Sequence, residues 1–190
     1  MNKLNYTEEI FNILSRGGFI SNNSVQAKIK RYYDAIEDHQ AEYDEYYQGI
    51  GFHLEAGDGY FFFTRKETKV DLQRKLEAVS KWIDYLTFLK TYNSAFGSGL
   101  VFSAADIVVR INCDMELKEL AGKLFSEKKS YDEIVEKLIS ELERMGFVEQ
   151  QDEVEKNWKV LTSFRYIEEL IDCISITDDT DNTDDAEHTG

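Results

Sequence analysis

The chain has 190 residues, 42% hydrophobic and 13% aromatic, which suits one ordinary domain or two small ones and excludes wholesale disorder. Its net charge is −15, and no stretch approaches the roughly 18 apolar residues of a membrane span. Two cysteines without metal-ligand spacing, Cys113 and Cys173, read as reduced, packed thiols. Together with an N-terminus lacking a signal-peptide core, they predict a cytoplasmic protein.

The first helix opens at Tyr6-Thr7-Glu8-Glu9, carries Ile10, Phe11, Ile13 and Leu14 at helical spacing, and stops at Arg16-Gly17-Gly18. Phe19-Ile20 is a short extended piece. Ser21-Asn22-Asn23-Ser24 supplies N-cap chemistry for a second helix over residues 25–37, with Ile29, Tyr32, Tyr33 and Ile36 on one face. A third helix over 41–50 repeats tyrosines at 43, 46 and 47. An aromatic hairpin follows, with Phe52-His53-Leu54 leading in, Gly57-Asp58-Gly59 turning, and Tyr60-Phe61-Phe62-Phe63 leading out. Three helices and then a two-stranded ribbon is the order of a winged helix-turn-helix, with the hairpin as its wing.

No proline interrupts the next segment, a long amphipathic helix over 68–92 whose stripe is Leu72, Leu76, Val79, Ile83 and Leu86. Its apolar stripe either packs onto both modules or serves as a dimer seam. Gly and Ser cluster at 93–99 and mark a boundary. The order then repeats. Leu100-Val101-Phe102 is extended; Ser103, Asp114 and Ser130 each cap a helix; Gly146 ends the third; and 147–161 forms a second hairpin. A closing helix spans 162–174. The expected fold is mainly α with small β-hairpins: tandem winged-helix domains joined by a long helix. Its parts are an N-terminal winged helix (1–67), the helix and boundary (68–99), a C-terminal winged helix (100–176) and a disordered acidic tail (177–190).

The charge is uneven. Residues 1–99 hold 12 Lys+Arg against 14 Asp+Glu, whereas residues 100–190 hold 10 against 23. Both third helices are acidic: Glu37, Asp38, Glu42, Asp44 and Glu45 surround the first. Asp132, Glu133, Glu136, Glu141 and Glu143 outnumber Lys137 and Arg144 on the second. Carboxylates held against phosphates would repel, so groove reading by these helices is disfavoured. Lys28, Lys30, Arg31, Arg65, Lys66 and Lys69 are the candidate contacts to a DNA backbone, weak and salt-sensitive.

Nothing reads as catalytic. His39, His53 and His188 are scattered, and no phosphate loop, nucleophile elbow or metalloprotease motif occurs. No cofactor is expected. The aromatic surplus points to protein binding instead. Strand alternation turns Phe61 and Phe63 inward and leaves Tyr60 and Phe62 outward. With Tyr46 and Tyr47, these two are the candidate partner anchors.

The stretches 10-IFNILSRGGFISNN, 49-GIGFHLEAGDGYFFFTRKE, 101-VFSAADIVVRIN, 131-YDEIVEKLISELERMGFVEQQDE and 158-WKVLTSFRYIEELID resemble, in order and spacing, the MukE/MksE-like subunits of bacterial condensins. These are tandem winged-helix proteins of the KITE class. The resemblance covers about residues 6–176 and implies a non-catalytic accessory subunit. It implies a homodimer that binds a kleisin-like subunit and, through it, an SMC-type ATPase on the nucleoid. The implied role is chromosome segregation or, in a related branch, plasmid restriction. The alternative is a winged-helix transcriptional regulator. A third reading is an unrelated winged-helix adaptor.

Overall fold

The computed structural model describes residues 4–180, with side-chain surroundings through residue 173. The first half contains α1 (Thr7–Leu14), β1 (Ile20–Ser21), α2 (Ala27–Asp38), α3 (Gln40–Gln48), β2 (His53–Gly57) and β3 (Tyr60–Thr64). A 24-residue helix, α4 (Lys69–Tyr92), follows. The second half contains β4 (Val101–Ser103), α5 (Ala104–Cys113), α6 (Met115–Leu124), α7 (Tyr131–Arg144), β5 (Val148–Asp152) and β6 (Asn157–Val160). A 3-10 turn (Thr162–Phe164) leads into α8 (Arg165–Thr180). The two antiparallel sheets have matching orders, β1-β3-β2 and β4-β6-β5, so each extended piece pairs with the outgoing strand of a wing. The chain is a tandem winged-helix protein, mainly helical with two small sheets.

Both wings are launched by the same device. After α7 the Gly146 amide bonds the Glu143 carbonyl (2.9 Å), and the Phe147 amide bonds the Leu142 carbonyl (2.9 Å). After α3 the Gly51 amide bonds Gln48 (3.0 Å) and the Phe52 amide bonds Tyr47 (3.1 Å). These are paired Schellman bonds, and they need left-handed backbone at the glycine, where φ is 87° at Gly51 and 78° at Gly146. The phenylalanine that follows each glycine turns back onto its own core. Ser103, Asp114 and Ser130 accept from the amides of Asp106, Leu117 and Glu133, as N-caps should. Thr68 and Asp71 form a reciprocal capping box at the start of α4.

Two apolar clusters hold the chain. The first joins Ile10, Leu14, Ile20, Tyr33, Ile36, Tyr43, Tyr47, Leu54 and Phe61. The second, larger one takes Tyr85, Phe88 and Leu89 from the C-terminal half of α4 and packs them with α5, α6, α7 and the second sheet. The long helix is thus divided: its last turns are core, while Val70, Leu72 and Leu76 near its start are exposed.

Direct polar contact joins the two halves. Ser21-Asn22-Asn23-Ser24 was expected to cap α2, but the N-cap position is Gln26 and makes no side-chain cap bond. The segment docks on the second sheet instead. The Glu149 carboxylate accepts from the Ser24 hydroxyl (2.8 Å), the Val25 amide (2.7 Å) and the Gln26 side-chain amide (3.3 Å). An anion delivered by β5 thereby sits at the N-terminus of α2, where the helix dipole favours it. Asn23 donates to the Val160 carbonyl (3.1 Å) and accepts from the Thr162 amide (2.9 Å), while Lys159 donates to the Asn23 carbonyl (2.9 Å). Thr162 donates to the Gly59 carbonyl (2.6 Å). Ser21, Ser24, Thr162 and Ser163 are buried here, and no buried side-chain polar atom among the described residues lacks a partner.

Three expectations change. Cys113 and Cys173 are exposed rather than packed, because each falls on the outer side of its helix. The closing helix begins with a 3-10 turn and its backbone runs to Thr180. The acidic segment expected to be disordered from residue 177 therefore has its first four residues within α8, and residues 181–190 lie outside the described residues.

Replacing Glu149 by Ala strands a buried hydroxyl and a backbone amide, a loss of charge-assisted bonds worth about 2 kcal/mol. Urea unfolding should show that loss, and amide exchange at Val25 should accelerate relative to the amides of α7. Unchanged stability and exchange would mean that the carboxylate does not hold the halves together.

Candidate functional site

The predicted anchors divide between core and surface. Tyr47 is fully buried in the first core and donates to the Thr7 carbonyl at 2.8 Å. Burial pushes its hydroxyl well above the ordinary tyrosine range. Tyr60 is 1% exposed and donates to Glu169 on α8 at 3.2 Å. Burial, with that carboxylate beside it, raises its pKa as well. The Tyr60 ring lies across Gly57, its strand partner, where any Cβ would collide with it. Phe62 is half-buried, edge-on to Tyr166 with centroids 5.2 Å apart and tilted against Phe19.

The expectation that Tyr60 and Phe62 point away from the first core is correct in direction and wrong in exposure. The outer face of the first wing is covered by α8 and by Phe19, which bridges to Phe147 at 5.2 Å. Arg165 clasps Asp58 at the wing tip. Only Tyr46 stays open, 54% exposed and edge-on to Tyr47, near the exposed Ile50. Strand alternation separates two faces of a ribbon; it cannot say that a segment a hundred residues later covers the second.

All six candidate DNA-backbone residues, Lys28, Lys30, Arg31, Arg65, Lys66 and Lys69, are exposed. They do not converge on one hollow. Arg31 borders a hollow with Asp34, Asp38 and His39. Arg65 borders another, floored by Leu14, Phe52 and Phe63, together with Arg16 and Arg74. Arg16, just past the end of α1, joins this basic run, which continues from the wing into α4 through Arg74. Lys75 beside them is paired with Glu67.

On α7 the two cations are already engaged, Lys137 with Glu127 and Arg144 with Glu141 at 2.8 Å. Asp132, Glu133, Glu136 and Glu143 remain exposed on the helix that would face a DNA groove. This surface repels phosphate. A different surface lies on α4. Leu72 and Leu76, 50% and 63% exposed, lie with the exposed Ile83 along one side of the helix. Among the described residues no cluster of His, Cys, Asp and Glu is placed to hold a metal, and no helix is long and apolar enough to cross a membrane.

A profile of the family described as condensin complex protein MksE matches residues 5–171, and the chain belongs to that family. The family is a non-catalytic accessory subunit of condensin. A search among curated proteins finds no match.

The division between core and surface has a direct test. Tyr46→Ala should leave unfolding stability within about 1 kcal/mol of the parent, whereas Tyr47→Ala and Tyr60→Ala should each lose about 3 kcal/mol or more through cavity formation. Equal effects at the three positions would contradict the burial described.

Proposed function

We propose that this chain is a dimeric, kleisin-binding subunit that shapes a condensin-type complex, with ATP hydrolysis left to an SMC-type partner. The single observation that carries this reading is the acidity of the α7 face. A winged helix that would ordinarily read a groove here presents exposed carboxylates while its two cations are already engaged, so its ligand is protein rather than a phosphate backbone. Membership in the condensin subunit family supports the same reading over that of a transcriptional regulator.

In this reading the body acts as a rigid brace. The polar interface around Glu149 fixes the angle between the winged helices, and the exposed start of α4 supplies the dimer seam. The exposed Leu72, Leu76 and Ile83, four and then seven residues apart, share one side of α4, which suits a helix laid against its own copy. Tyr46 serves as an exposed anchor for the kleisin. Lys28, Lys30, Arg31, Arg65, Lys66 and Lys69 touch the DNA backbone only within the assembled complex, where other subunits supply the remaining affinity. The working location is the cytoplasm, on the nucleoid. Chromosome segregation and plasmid restriction are both served by such a complex.

Affinity purification of the tagged chain from its native cell at two salt concentrations should recover a kleisin-like protein and a large SMC-type ATPase, retained at the higher salt. Recovery of DNA alone, lost with salt, would overturn the proposal. For the seam, the doubly substituted Leu72→Glu/Leu76→Glu chain should run as a monomer in light scattering where the parent runs as a dimer, with unchanged helical content. A parent that is monomeric, or a variant that still dimerises, removes α4 from the interface.

A further inference from the structure

We infer that the groove between α7 and the second wing is a docking site for a basic, amphipathic segment of a partner protein. The groove has a volume of about 330 Å³. That is near the lower end of the range for ligand pockets, and suits a few anchoring side chains.

One helix face and one strand pair build it. Glu136, Ile139, Ser140 and Glu143 line it from α7 at i, i+3, i+4 and i+7, a single stripe of the helix. Opposite stand Trp158 and its cross-strand partner Gln150, with Glu153 at the wing turn. The floor is apolar, made by Ile139 and the half-buried Trp158 ring. The rim carries three carboxylates, and only Lys156 opposes them. None of the three is in an ion pair with a described residue. The Trp158 indole N–H likewise has no acceptor among the described residues. The site therefore offers an apolar slot, a free donor for a backbone carbonyl, and a negative rim.

Those features choose the occupant by charge. Nucleic acid is repelled by the rim. The chain's own segment 177–190, with six acids and no Lys or Arg, is repelled as well. A segment with lysines or arginines flanking an aliphatic or aromatic anchor satisfies the three carboxylates and the apolar floor, which together outweigh Lys156. In the first winged helix, by contrast, Asp44 on α3 accepts from the Leu54 amide at 2.9 Å and ties the helix to β2. The inference rests on the subunit reading only in taking protein as the partner class.

The test uses the full chain carrying Trp82→Phe, so that Trp158 is the sole tryptophan reporter. The probes are a synthetic leucine–lysine amphipathic peptide, its leucine–glutamate counterpart, and duplex DNA. The leucine–lysine peptide should bind and shift Trp158 emission, and the other two should not. Glu136→Gln/Glu143→Gln/Glu153→Gln should weaken that binding at least about tenfold. The charge-matched Glu116→Gln/Glu119→Gln/Asp172→Asn, whose residues do not line the groove, should leave it within about twofold. Equal weakening in both variants, binding without a Trp158 shift, or no binding would overturn the site. Loss of self-association in the groove variant alone, without peptide, would assign the groove to a second copy and overturn it too. Recovery of the native complex by affinity purification is read separately, so failure of the groove and failure of the subunit reading are distinguishable.

Discussion

A carboxylate from one winged helix is held at the head of a helix in the other, and the shape of the molecule depends on that arrangement. Glu149 reaches Val25, 124 residues away in the chain, and gathers a hydroxyl, a backbone amide and a side-chain amide. A charged acceptor half withdrawn from water is stable only if its donors are fixed, so the contact is strong only when both halves are correctly folded. Asn23, Lys159 and Thr162 extend it into a network without a buried orphan. This interface, rather than α4, is the direct joint between the halves.

The surfaces follow from that joint. Docking covers the outer face of the first wing and removes Tyr60 from solvent, leaving Tyr46 as the open aromatic of the four candidates. It leaves the first turns of α4 outside both cores, so that leucines stand in water along a helix whose last turns are fully packed. It also leaves the second wing and α7 free on the side bearing Trp158. A rigid body with an apolar helix edge and an acid-rimmed groove is suited to hold proteins in a set geometry. Membership in the MksE family of condensin complex proteins agrees with that physical description.

Much of the fold was legible in local pattern. The caps Ser103, Asp114 and Ser130, the glycine that ends α7, and both hairpins rest on chemistry within a few residues, and such signals survive in a single sequence. The order of elements, read twice, exposed the tandem winged helix. What stayed hidden depends on distant partners. Ser21-Asn22-Asn23-Ser24 has cap-forming composition, and its use against the other half cannot be told from its use on α2. The stripe on α4 reads as continuous because periodicity records which side is apolar and not how much of it is covered. The same limit applies to the open groove, since an acidic helix and a wing tryptophan gain meaning only when the fold sets them face to face.

The most direct measurement is hydrogen–deuterium exchange on the chain alone and in its purified native complex. The account predicts new protection at residues 70–83 and along α7 and the second wing. The joint at 21–26, 149 and 160–163 should be slow to exchange in both states. Protection confined to Lys28, Lys30 and Arg31 on α2 and produced equally by DNA alone would contradict it, as would a joint that exchanges freely until a partner binds.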